Sequence, residues 1–451
     1  MLKPLLLYFG LVHVGFEIAL LLEQAIPILI SALPDDLLVR ILSLVPTKDA
    51  VPTMILSKRW RSIWTMVPAL QYLEINNGTR GIKPRCIWRF IDGSLQHHKA
   101  HVLETLAILI GGHCPVNTDV GKWIVNAVDR RVRELSFFLS WSAEPTRLPT
   151  CLYTCDTLVS MGLYDKVLVD VPSPACFPSL KALGLYHVLY KDEDSIVRFL
   201  SSCPILKHLA VHRHYYDNVK RFKIKVPSLE IFWYECTGYK NIEGTLVIDS
   251  PALKKLFITY NSAGFCLIEN KPRFEKATIN VDCYLDNKFM RSISSLKYLE
   301  LHLNFATVAC CDAINFSKLM ECKLTLANEL DWLDPLMRLL GNSPNLKVVS
   351  IDQARNRPEE NFPLSWNQPS SVPGCLSAHL EIFEWRGYRG SRRDKEIIRY
   401  ILANSKCLKR AGIHLNCRRI ERRKMMKELE SMPRVSTSSQ LLFSTQLEYL
   451  N

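Results

Sequence analysis

Few residues in this chain have the types and spacing that covalent or metal chemistry requires. His97 and His98 are adjacent, with no evident carboxylate or thiol partner, so they read as surface or loop residues rather than metal ligands. Fifteen cysteines are scattered along the chain and none forms a C-x-x-C pair. Cys151 and Cys155 lack a second ligand pair, and Cys310 and Cys311 are direct neighbours; a structural zinc site normally needs paired clusters. The odd number and the scatter point to reduced, mostly buried thiols and to a cytoplasmic or nuclear location. Gly121-Lys122 does not complete a phosphate loop, because Val116 stands where the first glycine belongs and Trp123 replaces Ser or Thr. G-x-G-x-x-G, G-x-S-x-G and H-E-x-x-H do not occur. The expectation is a protein that is not an enzyme and uses no metal and no cofactor.

Binding chemistry is what remains, and residues 30–64 (ISALPDDLLVRILSLVPTKDAVPTMILSKRWRSIW) concentrate it. Pro34 can open a helix, and Asp35 and Asp36 then sit at the positive end of its dipole. Leu37, Leu38, Ile41, Leu42 and Val45 recur at helical spacing, and Pro46 stops the run. Thr47 is placed to cap a second helix carrying Val51, Ile55 and Leu56. Pro52 falls inside that helix and removes a backbone donor. Lys58, Arg59 and Arg61 surround Trp60, and Ile63 and Trp64 close the segment. A hairpin this short buries little of its own surface, so its apolar stripe should dock on a partner or on the following domain.

The elements that would carry such a hairpin are legible as a repeat. The pattern L-x-x-L-x-L reads Leu180-Leu183-Leu185, Leu206-Leu209-Val211, Leu229-Phe232-Tyr234, Leu253-Leu256-Ile258, Leu296-Leu299-Leu301 and Leu346-Val349-Ile351. Weaker copies include Leu70-Leu73-Ile75, Leu158-Met161-Leu163, Phe274-Ala277-Ile279, Leu319-Cys322-Leu324, Leu380-Phe383-Trp385 and Leu408-Ala411-Ile413. Starts at 158, 180, 206, 229, 253, 274, 296 and 319 keep steps of 21–26 residues, the period of leucine-rich repeats. The last two apolar positions alternate along a short strand and point inward, the residues between them face solvent, and stacking supplies the core that no single unit has. The Asn expected at the following turn is present at Asn261, Asn304 and Asn416 only, so the array is irregular. Segments 192–200 and 334–340 read as short helices between strands. Solvent-side residues His208, His212, Trp233, Lys255, Phe257 and Tyr298 are the candidate contacts to a bound protein, since exposed aromatic side chains anchor interfaces.

The remainder of the 451 residues sets limits. With 48% apolar and 22% charged residues the chain is folded, and its length suits two or three domains or one array. A net charge of +13 favours anionic partners without naming nucleic acid, and the basic segment 418–430 (RRIERRKMMKELE) keeps a nucleic-acid-binding scaffold as the rival reading. Residues 1–29 are an atypical apolar leader interrupted by His13, Glu17 and Glu23. Three alternatives stand for it: a non-native leader, a helix packed on the protein, or a signal or membrane-anchoring segment. Sequons at Asn77 and Asn315 matter only in the last case. Residues 353–374, rich in Pro, Asn and Ser, read as a loop or boundary. After them come a strand, a helix from about 393 to 403 and a second strand ending near Leu415.

Two of these regions resemble known modules. Leu33-Pro34-Asp35-Asp36-Leu37-Leu38, Ile41-Leu42-Ser43, Pro46-Thr47-Lys48 and Leu56-Ser57-Lys58-Arg59-Trp60-Arg61 resemble the plant F-box. Val372-Pro373-Gly374-Cys375-Leu376, Phe383-Glu384-Trp385-Arg386-Gly387-Tyr388-Arg389-Gly390, Tyr400-Ile401-Leu402 and Pro433-Arg434-Val435-Ser436 resemble the FBD domain, which in plants follows an F-box and irregular leucine-rich repeats. The resemblance implies an α/β chain with a helical F-box (30–72), an irregular leucine-rich-repeat solenoid of strand-and-helix units (73–352), the boundary segment (353–374) and an FBD-like region (375–443). It implies that Leu33, Pro34, Ile41, Leu42, Val51, Leu56 and Trp60 lie on or near the surface for a Skp-type adaptor, and through it a cullin-RING ubiquitin ligase. The repeats would then hold an unknown protein substrate.

Overall fold

A computed structural model describes residues 33–444, except 75–86, 141–143, 214–216, 237–243, 261–263, 327–331, 354–367 and the single positions 113, 116, 117, 271, 273, 283, 286, 306, 309, 310, 312, 313 and 418. The apolar leader, Asn77, Asn261 and most of the boundary segment therefore lie outside the described residues. Among the described residues no helix is long and apolar enough to cross a membrane. The chain divides into two compact units between Lys191 and Ile205; Ser202–Pro204 belongs to the first unit and 192–201 to the second.

The first unit begins with the helical hairpin. Helix α1 (Asp35–Leu42) follows Pro34, whose carbonyl accepts from the amides of Leu37 and Leu38. Helix α2 (Thr47–Ala50) passes at Val51 into a 3₁₀ turn that runs to Ile55, and α3 (Trp60–Ile63) follows. Pro52 falls at the α-to-3₁₀ change, so its missing donor ends an α-helix instead of kinking one. Thr47 corrects the sequence reading: it makes no cap bond, and its hydroxyl accepts from the amide of Gln71 at 2.8 Å.

The repeat core follows from alternation. In the first unit the parallel strands run Ala69–Leu73, Thr105–Ile110, Glu134–Leu139, Ser160–Asp165 and Ala182–Tyr186, each in register with the next. In the second they run His208–His212, Ile231–Cys236, Lys255–Tyr260, Lys276–Val281, Tyr298–Leu303, Glu321–Leu326, Val348–Gln353, Ile382–Tyr388, Arg410–Leu415 and Gln440–Ser444. Every apolar triplet from Leu158 through Leu408 is buried, each large side chain contributing roughly 1.5–3 kcal/mol by leaving water. The copy at Leu70-Leu73-Ile75 is off by one step: Val67, Leu70 and Tyr72 are the buried set and Leu73 faces outward. Strand Gln440–Ser444 was not anticipated.

Strand-and-helix units are only part of the array. Helices Ser195–Ser201 and Leu333–Gly341 stand where the sequence places them. In contrast, Arg221–Lys225, Thr245–Asp249, Phe265–Ile268 and Tyr284–Leu285 form a second, 4-stranded parallel sheet. There Phe222 and Ile224 alternate with Arg221, Lys223 and Lys225, a period of two that a helix cannot bury on one side. Asn304 does the turn work expected of it, donating to the Val281 carbonyl at 2.8 Å and accepting from the Thr307 amide at 3.0 Å. Asn416 is exposed and accepts no such role; only its amide bonds, to the Tyr388 carbonyl.

The C-terminal region is set by Gly387, Gly390 and a cap. Gly387 has φ +82°, and a Cβ there would stand 2.7 Å from the Gln353 carbonyl, so only glycine fits the register shift between Arg386 and Tyr388. Gly390 (φ +75°) turns the chain into Ser391, which caps helix Arg392–Asn404 in a reciprocal box with buried Asp394.

The residue entering each strand of the second unit forms a ladder of its own: Lys207, Glu230, Lys254, Glu275, Lys297, Met320, Lys347, Glu381, Lys409, each amide bonded to the preceding carbonyl. Charges alternate, so Glu230 pairs with Lys207 and Lys254, both at 3.1 Å, and Glu381 with Lys409 at 2.7 Å. Met320, between Lys297 and Lys347, interrupts the alternation. Replacing Met320 by Glu should raise the thermal midpoint by an amount worth about 0.5 kcal/mol at low salt, and the gain should vanish in 1 M NaCl. A salt-independent gain, or none, would show that ladder electrostatics do not matter there.

One histidine joins the hairpin to the first repeats. Buried His98 donates from Nε2 to the Val67 carbonyl at 2.8 Å and accepts at Nδ1 from Arg130 at 2.7 Å. The amides of Lys99 and Ala100 bond to the Thr65 carbonyl. His97 is exposed, as expected of a surface residue, but His98 is structural. Burial first, and then the Arg130 charge, lower the His98 pKa from 6.5 to about 4. The unfolded chain therefore binds the extra proton between these values, and stability present above pH 6.5 drains away towards pH 4, by up to ~3 kcal/mol for the first unit. Unfolding followed across this window should show that slope, and a His98→Leu chain should be less stable at pH 7 yet flatter; an unchanged slope would assign it to other groups.

Candidate functional site

The hairpin sorts its apolar residues into two sets. Leu38, Leu42, Ala50, Trp60, Ile63, Trp64 and Val67 form its core, with Leu33, Val39, Val45 and Val51 packed partly against it. Leu37, Ile41 and Leu44 stay exposed, at i, i+4 and i+7 along one face of α1 and its exit. Met54, Ile55 and Leu56 are exposed on the 3₁₀ turn, Ile55 at 83%. Contiguous apolar exposure on this scale is unusual for so small a module.

Polar groups fix the geometry of this hairpin. Arg59 donates from Nε to Asp35 at 2.6 Å and from its terminal nitrogen to the Leu33 carbonyl at 2.5 Å. The Leu-Pro-Asp-Asp and Ser-Lys-Arg-Trp stretches, 24 residues apart, are thus clamped together. Trp60, next to the clamp, fills the core.

Of the residues proposed from sequence for the adaptor surface, Pro34, Ile41 and Leu56 are exposed, and Leu33 and Val51 are half-buried. Leu42 and Trp60 are each only 4% exposed, inside the core. Helical spacing could not separate Leu42 from Ile41, because which flank of a wide stripe is covered depends on where α3 packs. Leu37, Leu44, Met54 and Ile55 were missed; the continuation of the apolar run beyond Ile41 and around Pro52 was the available signal.

The second surface is the outward face of the strands in the second unit. Strand pairing brings the candidates together in rows: His208, Ile231, Lys255, Lys276 and Tyr298 in one, and Ala210, Trp233, Phe257, Thr278 and Glu300 in the next. Trp233 and Phe257 stack with ring centroids 3.7 Å apart and planes within 9°. Lys276 Nζ lies 3.9 Å from the centre of the Tyr298 ring, and burial pushes the Tyr298 hydroxyl up to about 12, which keeps it neutral. His212 pairs with Glu235 at 3.1 Å, and Lys323 with Glu300 at 2.5 Å. His208 is exposed at the end of its row. His212, Trp233, Glu235, Phe257, Lys276 and Glu300 border a depression floored by Tyr234 and Ile258. Behind it, buried Arg213 pairs with Asp217, donates to the Tyr234 hydroxyl at 3.3 Å and lies over the Phe222 ring, fixing the strand that carries Trp233.

A further aromatic row in the first unit escaped the sequence reading. Phe138, Tyr164 and Tyr186 stand side by side, the tyrosines stacked at 4.4 Å and 5°. Each tyrosine leans over the glycine two residues earlier: a Cβ on Gly184 would stand 2.5 Å from the Tyr186 ring, and one on Gly162 3.0 Å from that of Tyr164. The repeated Gly-Leu-Tyr at 162–164 and 184–186 was the visible signal.

Comparison with known proteins agrees with this architecture. Residues 30–71 match the F-box domain and residues 368–413 the FBD domain. Residues 120–268 match the family described as FBD-associated F-box protein At5g56370, LRR repeats. Similar proteins of Arabidopsis thaliana include the F-box/FBD/LRR-repeat protein At1g22000, 49% identical over 445 residues, covering 94% of this chain and 92% of the relative. The FBD-associated F-box protein At1g05080 is 46% identical, covering 92% and 97%, and the F-box/FBD/LRR-repeat protein At3g49480 is 45% identical, covering 93% and 97%. With an N-terminal F-box, stacked strand repeats and a C-terminal FBD domain in one chain, the protein belongs to the plant F-box/FBD/leucine-rich-repeat family.

Proposed function

We propose that this chain is a substrate receptor of an SCF-type ubiquitin ligase. F-box proteins are generally adaptors of that kind, and the observation that carries the reading is the uncovered apolar surface of this F-box: Leu37, Ile41, Leu44, Met54, Ile55 and Leu56. A Skp-type adaptor covers it, with Pro34, Leu33 and Val51 at its margins. Leu42 and Trp60 serve the same surface from inside, by holding α1 against α3. The repeats hold the target on the outward strand face, where His208, His212, Trp233, Lys255, Phe257 and Tyr298 supply the contacts. The chain contributes no reacting group. It raises the effective concentration of a held target beside the ubiquitin-loaded enzyme.

Adaptor capture tests the reading. The full chain should retain a purified Skp-type adaptor, and an Ile55→Asp, Leu56→Asp chain should lose at least about tenfold in affinity with its thermal midpoint unchanged. Trp60→Ala should instead lower the midpoint, by an amount equivalent to about 3–5 kcal/mol in the hairpin. Capture that survives the exposed pair of substitutions would overturn the assigned surface, and no capture by the intact chain would overturn the ligase role.

A further inference from the structure

The lysines and arginines on the outward face of the second unit follow a rule with one exception. They stand beside carboxylates: Lys323 beside Glu300, Arg410 beside Glu384 at 3.3 Å, Arg386 beside Glu384 at 3.9 Å. Lys255 and Lys276 break the rule. They occupy paired positions on adjacent strands, in register, and among the described residues neither has an ion-pair partner. Like charges directly opposite in a ladder destabilise it. Lys276 is partly compensated by the Tyr298 ring; Lys255 is exposed with no such relief. One step along the strand of Lys255, the next outward position is Phe257, which stacks on Trp233 of the strand on its other side. A cationic pair with no carboxylate partner among the described residues thus borders an apolar aromatic step.

We propose that this face takes an acidic peptide segment of the target protein, in which a large apolar side chain lies against Trp233 and Phe257 and neighbouring carboxylates face Lys255 and Lys276. The inference rests on the reading of this face as the target-holding surface and names the chemistry of what it holds. A peptide fits better than a nucleic acid strand on geometry. Trp233 and Phe257 are already closed on each other at 3.7 Å, which leaves no slot for a base between them.

The test uses the full chain and labelled peptides. One octapeptide carries a central Phe-Leu flanked on both sides by Asp and Glu; a second replaces the acids by Lys; a third replaces Phe-Leu by Ser-Ser. The acidic apolar peptide should bind at least about tenfold tighter than either control and weaken steeply with salt. A Lys255→Glu, Lys276→Glu chain should lose at least about tenfold for it and gain for the lysine peptide, and Trp233→Ser should erase the advantage over the Ser-Ser peptide. Lys255→Gln, Lys276→Gln, which removes charge without reversing it, guards against a folding defect and should lose affinity with a thermal midpoint no lower than that of the parent chain. No binding of the acidic peptide, equal binding of the three, indifference to the substitutions, or displacement by oligouridylate in preference would each overturn the proposal. Adaptor capture by the same preparations is read separately. Capture without peptide discrimination fails this inference alone, while discrimination without capture fails the ligase reading and leaves this one standing.

Discussion

Parallel strand stacking is the constraint on which everything else in this molecule depends. A strand of five or six residues shows alternate side chains to opposite sides, and here one side is apolar in nearly every copy. No single unit can bury that side, so each strand needs the next, and the backbone ladder fixes their register. Once the register is fixed, the residues in between have no choice but to face outward in rows. The aromatic stack, the ion pairs and the unrelieved lysines are consequences of that geometry rather than separately built features.

The F-box answers a different constraint. Its three short helical pieces cannot enclose a core and cover themselves as well. Trp60, Leu38 and Leu42 take the interior, the Arg59 clamp holds the two ends of the motif together, and the leftover apolar residues remain in water. Thr47 and His98 then tie the module to the strands of its own unit, so the exposed surface is presented on a fixed base. Buried tryptophans and hydrogen-bonded joints hold that base together.

The irregularity of the repeats has a physical cause. Where the connecting segment has helical spacing, as at 195–201, a helix packs behind the strand; where it alternates every second residue, as at 221–225, a second sheet forms. Both bury one apolar side against the same strands. The charged ladder at the strand entrances tolerates either solution, because it depends on the register of the strands and not on what lies behind them.

Much of this was legible in the linear chain. The triplets at Leu206, Leu253 and Leu346 fix which residues go inside, since apolar side chains two apart on a strand share a face. The Leu-Pro-Asp-Asp and Lys-Arg-Trp stretches mark the F-box, and the helix read from about 393 to 403 is legible because its apolar spacing depends on near neighbours. Tertiary structure alone decided which residues meet across units. Lys255 lies beside Lys276, Trp233 beside Phe257 and Tyr164 beside Tyr186 only because strands some twenty residues apart pair in one register. It also decided that Ile41 stays in water while its neighbour Leu42 does not. Periodicity tells a residue which side it is on, but the partner that covers that side comes from elsewhere in the chain, and no local spacing can name it.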